Sequence, residues 1–145
     1  MSIKLTEAQI KSLIEDAMEA RTRSYSPYSN FEVGAALLTK SGKVYKGCNI
    51  ENAGFTPTIC AERTAVFKAV SEGEMEFEAI AVIGAPKGQV LTGDKNSGPC
   101  GVCRQVLREF APHITIIGAN NAEDYYVTTL TELLPKSFGP ENLGK

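Results

Sequence analysis

Three cysteines and one glutamate stand where they can do chemistry together. Cys100 and Cys103 are three residues apart. Residues at that spacing share a helix face, so both sulfurs can reach one ion. Pro99 directly precedes the pair and suits the first position of a helix, where its missing amide is not needed. Cys60 opens a second helical stretch, and Glu62 follows two residues later. Three thiolates around a zinc ion leave one coordination position free, which is the catalytic arrangement; a fourth protein ligand would close the site.

The remaining candidates for ligation read differently. Cys48 falls on an extended stretch and alternates with Lys46, so it is expected to behave as a small core residue. Were Cys48 to close a structural four-cysteine site, Glu62 would have no use. His113 is the single histidine, and it follows Pro112 beyond the second site helix. A loop or solvated role is expected for it.

These residues need elements to hold them. Thr6 and Gln9 form a capping box, ahead of Ile10, Leu13, Ile14, Ala17 and Met18 at helical spacing, which predicts a helix over 7–21. Residues 31–39 and 44–50 read as two strands of a hairpin joined at Lys40-Ser41-Gly42-Lys43. A helix is expected over 60–72, stopped by Gly73. A third strand at 78–84 precedes a polar, Gly-containing surface loop at 85–98, long enough to alter the entrance to a site. The second site helix runs over 99–111, followed by strands at 114–119 and 125–128. Thr129 and Glu132 suggest another capping box before a short helix that Pro135 breaks, and the tail beyond has no regular pattern. This order implies an α/β protein: a three-layer α/β/α sandwich around a mixed five-stranded sheet.

Bulk properties bound the rest. The chain has 145 residues, which fits one domain over 1–145. Its 15 basic and 17 acidic residues give a net charge of -2. That balance argues against binding nucleic acid by phosphate neutralisation but leaves an uncharged nucleoside possible. No segment is apolar and long enough to cross a membrane. The N-terminus lacks the features of a secretory signal. The expected place is therefore the cytoplasm, where cysteines serve metals or catalysis more often than disulfides.

Cys60-Ala61-Glu62-Arg63 followed by Pro99-Cys100-Gly101-Val102-Cys103-Arg104 resembles the signature of the zinc deaminases. More narrowly, the chain resembles the small homotetrameric cytidine deaminases over nearly its whole length. The resemblance includes Tyr28-Ser29-Asn30-Phe31-Glu32-Val33-Gly34, Gly47-Cys48-Asn49-Ile50-Glu51-Asn52 and Glu132-Leu133-Leu134-Pro135. It implies hydrolytic deamination of cytidine and deoxycytidine to uridine and deoxyuridine plus ammonia, a step of pyrimidine salvage.

One zinc per chain would be held by Cys60, Cys100 and Cys103, and water activated on it would attack C4 while Glu62 moves the protons. Arg63 would donate hydrogen bonds to the thiolates, offsetting the net -1 charge that three sulfurs leave on the metal; both helix N-termini would help. The role of Arg104 stays open. By the same resemblance Asn49 and Glu51 hold the ribose hydroxyls, Phe31 packs against the pyrimidine and the Ala61 backbone meets the base carbonyl. Ala53, Phe55 and Phe138 match positions that reach across to neighbouring subunits, so the active sites would be shared within a homotetramer. Phe55 departs from a familiar Tyr, which makes that contact apolar. An alternative in the same class is deamination of another free aminopyrimidine compound, such as an aminonucleoside antibiotic; the Asn49–Glu51 pair favours ribose.

Overall fold

A computed structural model describes residues 5–93 and 97–145. The first helix, α1 (Glu7–Arg21), begins at the expected capping box: Thr6 Oγ1 accepts from the Gln9 amide at 3.1 Å, and Gln9 Oε1 accepts from the Thr6 amide at 2.8 Å. Next come β1 (Phe31–Thr39) and β2 (Val44–Cys48), joined by a tight turn in which Gly42 takes φ +92, a conformation that favours glycine. The second strand stops two residues short of expectation, because Asn49 turns its side chain back onto β1. Then follow α2 (Ala61–Ser71), β3 (Phe77–Pro86), α3 (Gly101–Phe110), β4 (Thr115–Ala119), β5 (Tyr125–Thr129) and the short α4 (Leu130–Leu133).

The strands form one sheet in the order β2-β1-β3-β4-β5, with β3 and β4 parallel and the other neighbours antiparallel. One face carries α1, packed through Leu13, Ile14 and Ala17 onto Ala36, Ala81 and Ile117. The other face packs Leu37, Ile80, Val82 and Ile116 against Ala65, Val66 and Ala69 of α2 and Leu107 of α3. The architecture is therefore the expected three-layer α/β/α sandwich around a mixed five-stranded sheet.

Three further details depart from expectation. Strand β3 runs on to Pro86, two residues into the predicted loop, because Glu32 and Phe31 of β1 extend the ladder opposite Ala85 and Pro86. Cys100 occupies the N-cap of α3, with extended φ -69 and ψ 171, so Pro99 lies just outside the helix rather than at its first position. The tail is not irregular throughout: Pro140–Leu143 forms a 3-10 turn. Arg108 of α3 ties that tail down, its Nε donating to Ser137 Oγ at 2.6 Å and its Nη2 paired with Glu141. Residues 94–96 of the predicted 85–98 loop lie outside the described residues.

Candidate active site

Both site helices start at one end of the sheet. That end gathers the beginning of β1 and the ends of β2, β3 and β4, through the pairs Phe31–Pro86, Gly34–Cys48 and Ile83–Ala119. The chain leaving β2 enters α2, and the chain leaving β3 enters α3. Helix α2 lies close against β2 because Gly47 has no side chain: a Cβ there would stand 2.5 Å from the Ala61 carbonyl oxygen.

Cys60 caps α2 and Cys100 caps α3, both with extended backbone and neither with a side-chain cap bond. An N-cap normally supplies a Ser, Thr, Asp or Asn oxygen to the unpaired amides. Here a sulfur stands in that place at both helices, facing the positive ends of their dipoles. Cys103 follows one turn into α3 and is buried. The three sulfurs lie within 4.8 Å of one another, with Cys60 and Cys100 3.8 Å apart. Sulfurs placed about 2.3 Å from a tetrahedral zinc would stand about 3.8 Å apart, so the donor set fits that ion in both chemistry and spacing. Cys48 is outside the cluster; it is half-buried at the sheet edge rather than in the core, its thiol donating to the Arg23 carbonyl at 3.4 Å.

The surroundings act differently on Cys60 and Cys103. Hydrogen bonds from Cys103, Arg63 and Cys100 bring the Cys60 thiol well below its ordinary range, against the opposing effect of burial. The same Cys60 contact, with burial, pushes Cys103 up. Arg63 donates from Nη2 to Cys60 Sγ at 3.5 Å, while its buried Nε has no partner among the described residues. Glu62 is 3% exposed, and burial pushes its carboxyl up to about 7. A carboxyl group there can hold or release a proton near neutral pH.

A cavity of about 430 Å³ opens beside these groups. Phe31, Asn49, Glu51, Ala61, Glu62 and the sulfur-bearing Cys60 and Cys100 line it. The polar pair is already engaged. Asn49 Oδ1 accepts from the Val33 amide at 2.9 Å and from Ser24 Oγ, and its Nδ2 donates to the Phe31 carbonyl at 2.8 Å. Glu51 accepts from the Tyr28 and Ser29 amides at 2.9 and 3.1 Å and from Ser29 Oγ, and its carboxyl is held below the usual range mainly by Ser29. Among the described residues Asn49 Nδ2 makes one of its two possible donations, and both side chains line the cavity. Ala53 and Phe138 do not line the cavity, whereas Phe55 lines an adjoining hollow that shares Ser29, Glu51 and Thr58 with it; Phe55 is 73% and Phe138 57% exposed. Phe55 takes φ +60 and meets Tyr28 edge-on at 6.3 Å.

Other wall residues escape sequence reasoning: Val33, Val82, Leu91, Ser97 and Gly98. Leu91 offers a weak signal, as a large apolar residue inside a polar stretch. Ser97 and Gly98 offer only their position just before Pro99 and Cys100.

Comparison with known proteins agrees with this geometry. Residues 7–119 match the family model for the cytidine and deoxycytidylate deaminase zinc-binding region. A cytidine deaminase of Sporosarcina psychrophila is 45% identical over 135 residues, covering 92% of this chain and 94% of that protein. A cytidine deaminase of Halalkalibacterium halodurans is 48% identical over 132 residues, covering 90% and 95%. The crystal structure of a cytidine deaminase from Burkholderia pseudomallei superposes with a TM-score of 0.78 at 46% identity, over 88% of this chain and 97% of that one. With a sulfur cluster sized for zinc, a buried carboxyl beside it and a match over most of its length, the chain belongs to the cytidine and deoxycytidylate deaminase family.

Proposed function

We propose that this protein deaminates free cytidine and deoxycytidine, releasing uridine or deoxyuridine and ammonia. The observation that carries the reading is the buried Glu62 carboxyl beside three sulfurs, on a cavity lined by Phe31, Asn49 and Glu51. Cys60, Cys100 and Cys103 would hold one zinc ion, which would supply the Lewis acidity that makes water a nucleophile near neutral pH. Glu62 accepts the proton of the attacking water and delivers it to ring N3. With the C4–O bond made, it takes the second proton from the new C4 hydroxyl and passes it to the amino group, so the C4–N bond breaks, ammonia leaves and the C4 carbonyl forms. Arg63 neutralises part of the thiolate charge through Cys60. Phe31 packs on the pyrimidine, and the amide of Ala61, one of those a helix start leaves unpaired, meets the base carbonyl. Asn49 and Glu51 receive the ribose hydroxyls.

The exposed Ala53, Phe55 and Phe138 support a homotetramer in which neighbours complete each cavity. The reducing cytoplasm, where free thiols persist, suits a three-cysteine site and a role in pyrimidine salvage. No described helix is long and apolar enough to cross a membrane. Incubating the zinc-loaded protein with cytidine, deoxycytidine, their monophosphates and adenosine tests the substrate by the absorbance change on deamination. Turnover of the two nucleosides alone is expected; turnover of neither refutes the reading. Light scattering should give four times the chain mass, and a fully active monomer would end the shared-site proposal.

A further inference from the structure

Residues 97–99 lead directly into Cys100 and belong to no helix or strand. Gly98 lines the cavity, and Cys100 caps α3 without a side-chain cap bond. The position of this short segment therefore sets both a wall of the cavity and one of the sulfurs.

Side chains from elsewhere grip the segment by its carbonyl oxygens. Tyr126 on β5 donates its hydroxyl to the Ser97 carbonyl at 3.2 Å. Arg104 on α3 donates Nε to the Pro99 carbonyl at 2.8 Å and Nη1 to the Leu133 carbonyl at 2.8 Å. The second bond anchors Arg104 at the end of α4, which makes it a strut between two parts of the fold. Ser97 adds a tie of its own, from Oγ to the Gly84 carbonyl at 3.1 Å.

Neighbouring backbone leaves room for this grip. Tyr126 is paired with Gly118 across β4 and β5. A Cβ on Gly118 would stand 2.2 Å from Tyr126 Cε1 and 2.2 Å from the Ser97 carbonyl oxygen. A Cβ on Gly98 would stand 2.6 Å from the Tyr126 hydroxyl oxygen. Two bare glycines thus let an edge-strand tyrosine cross its neighbouring strand and hold the wall from behind.

We propose that Arg104 and Tyr126 are positioning residues for the metal centre. Acting through the Pro99 and Ser97 carbonyls, they hold residues 97–99 so that Cys100 stays at ligand spacing from Cys60. The inference rests on the zinc reading of the three sulfurs. Its test compares the parent full-length protein with Arg104→Met, Arg104→Lys and Tyr126→Phe. Zinc affinity is read by chelator competition, and ligand geometry by the absorption bands of the cobalt-substituted protein.

Removing the support of a metal's ligands typically costs about 10–100-fold in affinity. That loss is expected for Arg104→Met, with shifted cobalt bands. Tyr126→Phe should change both in the same direction by less. Arg104→Lys, able to hold one carbonyl, should fall between Met and the parent. Ile14→Val, on the buried face of α1, should lower the melting temperature and leave the cobalt spectrum alone. Parent-like affinity and spectrum in both Arg104→Met and Tyr126→Phe would overturn the proposal; should Arg104→Met not fold, Tyr126→Phe alone decides. Neither readout uses turnover. A protein that holds zinc but leaves cytidine intact would refute the proposed substrate without touching this assignment.

Discussion

Gly47→Ala should separate the seating of α2 from the stability of the fold. The added carbon would stand 2.5 Å from both the Ala61 carbonyl oxygen and the Ala65 amide nitrogen. Ordinary contact begins near 3.4 Å, so the helix must shift by about 0.9 Å. Both obstacles are backbone atoms, and Ala61, Ala65, Val66 and Ala69 are fully buried, so no side chain can swing aside. Overpacking of this kind costs roughly 1–3 kcal/mol, lowering the melting temperature by roughly 2–12 °C. Activity should fall further than that implies. Cys60, Glu62 and Arg63 ride on the start of α2, and a displacement near 1 Å can cost about 10²-fold in rate. Gly34→Ala supplies the comparison. Its Cβ would meet the Ala17 carbonyl oxygen at 1.9 Å and the Arg21 amide at 2.6 Å, which strains α1, a helix carrying no site residue. Thermal melts and kcat/KM measured below both transitions should show two destabilised proteins of which only Gly47→Ala has lost most of its turnover. Equal loss in both, or parent-like kcat/KM in Gly47→Ala, would refute the reasoning.

Glu62→Gln should retain zinc and fold while kcat drops by at least roughly 10²–10⁴-fold, the worth of one general acid–base step; metal analysis beside steady-state rates checks it, and near-native turnover would remove the proton role. Cys60→Ala should lose zinc and Cys48→Ala should keep it, since Cys48 bonds the Arg23 carbonyl away from the cluster; the opposite pattern would reassign the ligands. Treatment with a strong chelator should abolish turnover and added zinc restore it, whereas activity indifferent to both would rule out a metal step.

The parts of the fold that could be read early are those written in local rules. The Thr6–Gln9 box marks the start of α1, and the turn around Gly42 fixes the hairpin. The sulfur cluster was legible because its members sit at helix starts, where spacing along the chain maps directly onto space. Pro99 misleads because the proline rule fits two adjacent positions, and Cys100 takes the cap. Alternation puts Asn49 and Glu51 on one side, but it says nothing of Ser24, Val33, Tyr28 and Ser29, whose atoms occupy much of their hydrogen-bonding capacity. Leu91 and Ser97 reach the cavity from a stretch with no periodicity, so only tertiary structure brings them there. The 3-10 turn at Pro140 depends on Arg108, a partner some thirty residues away that no local pattern announces.

The clustered cysteines and the buried Glu62 stand on the opening turns of two helices locked against the sheet, whereas Phe31, Thr58 and Leu91 reach the cavity from a strand start and the segments between elements. Loops tolerate replacement far better than packed helix starts. Inheritance can therefore rewrite what the enzyme accepts while leaving how it reacts untouched. A lineage drifting toward a bulkier amine would change first at places such as Leu91, keeping Cys60, Glu62, Cys100 and Cys103 constant and a working catalyst at every intermediate generation.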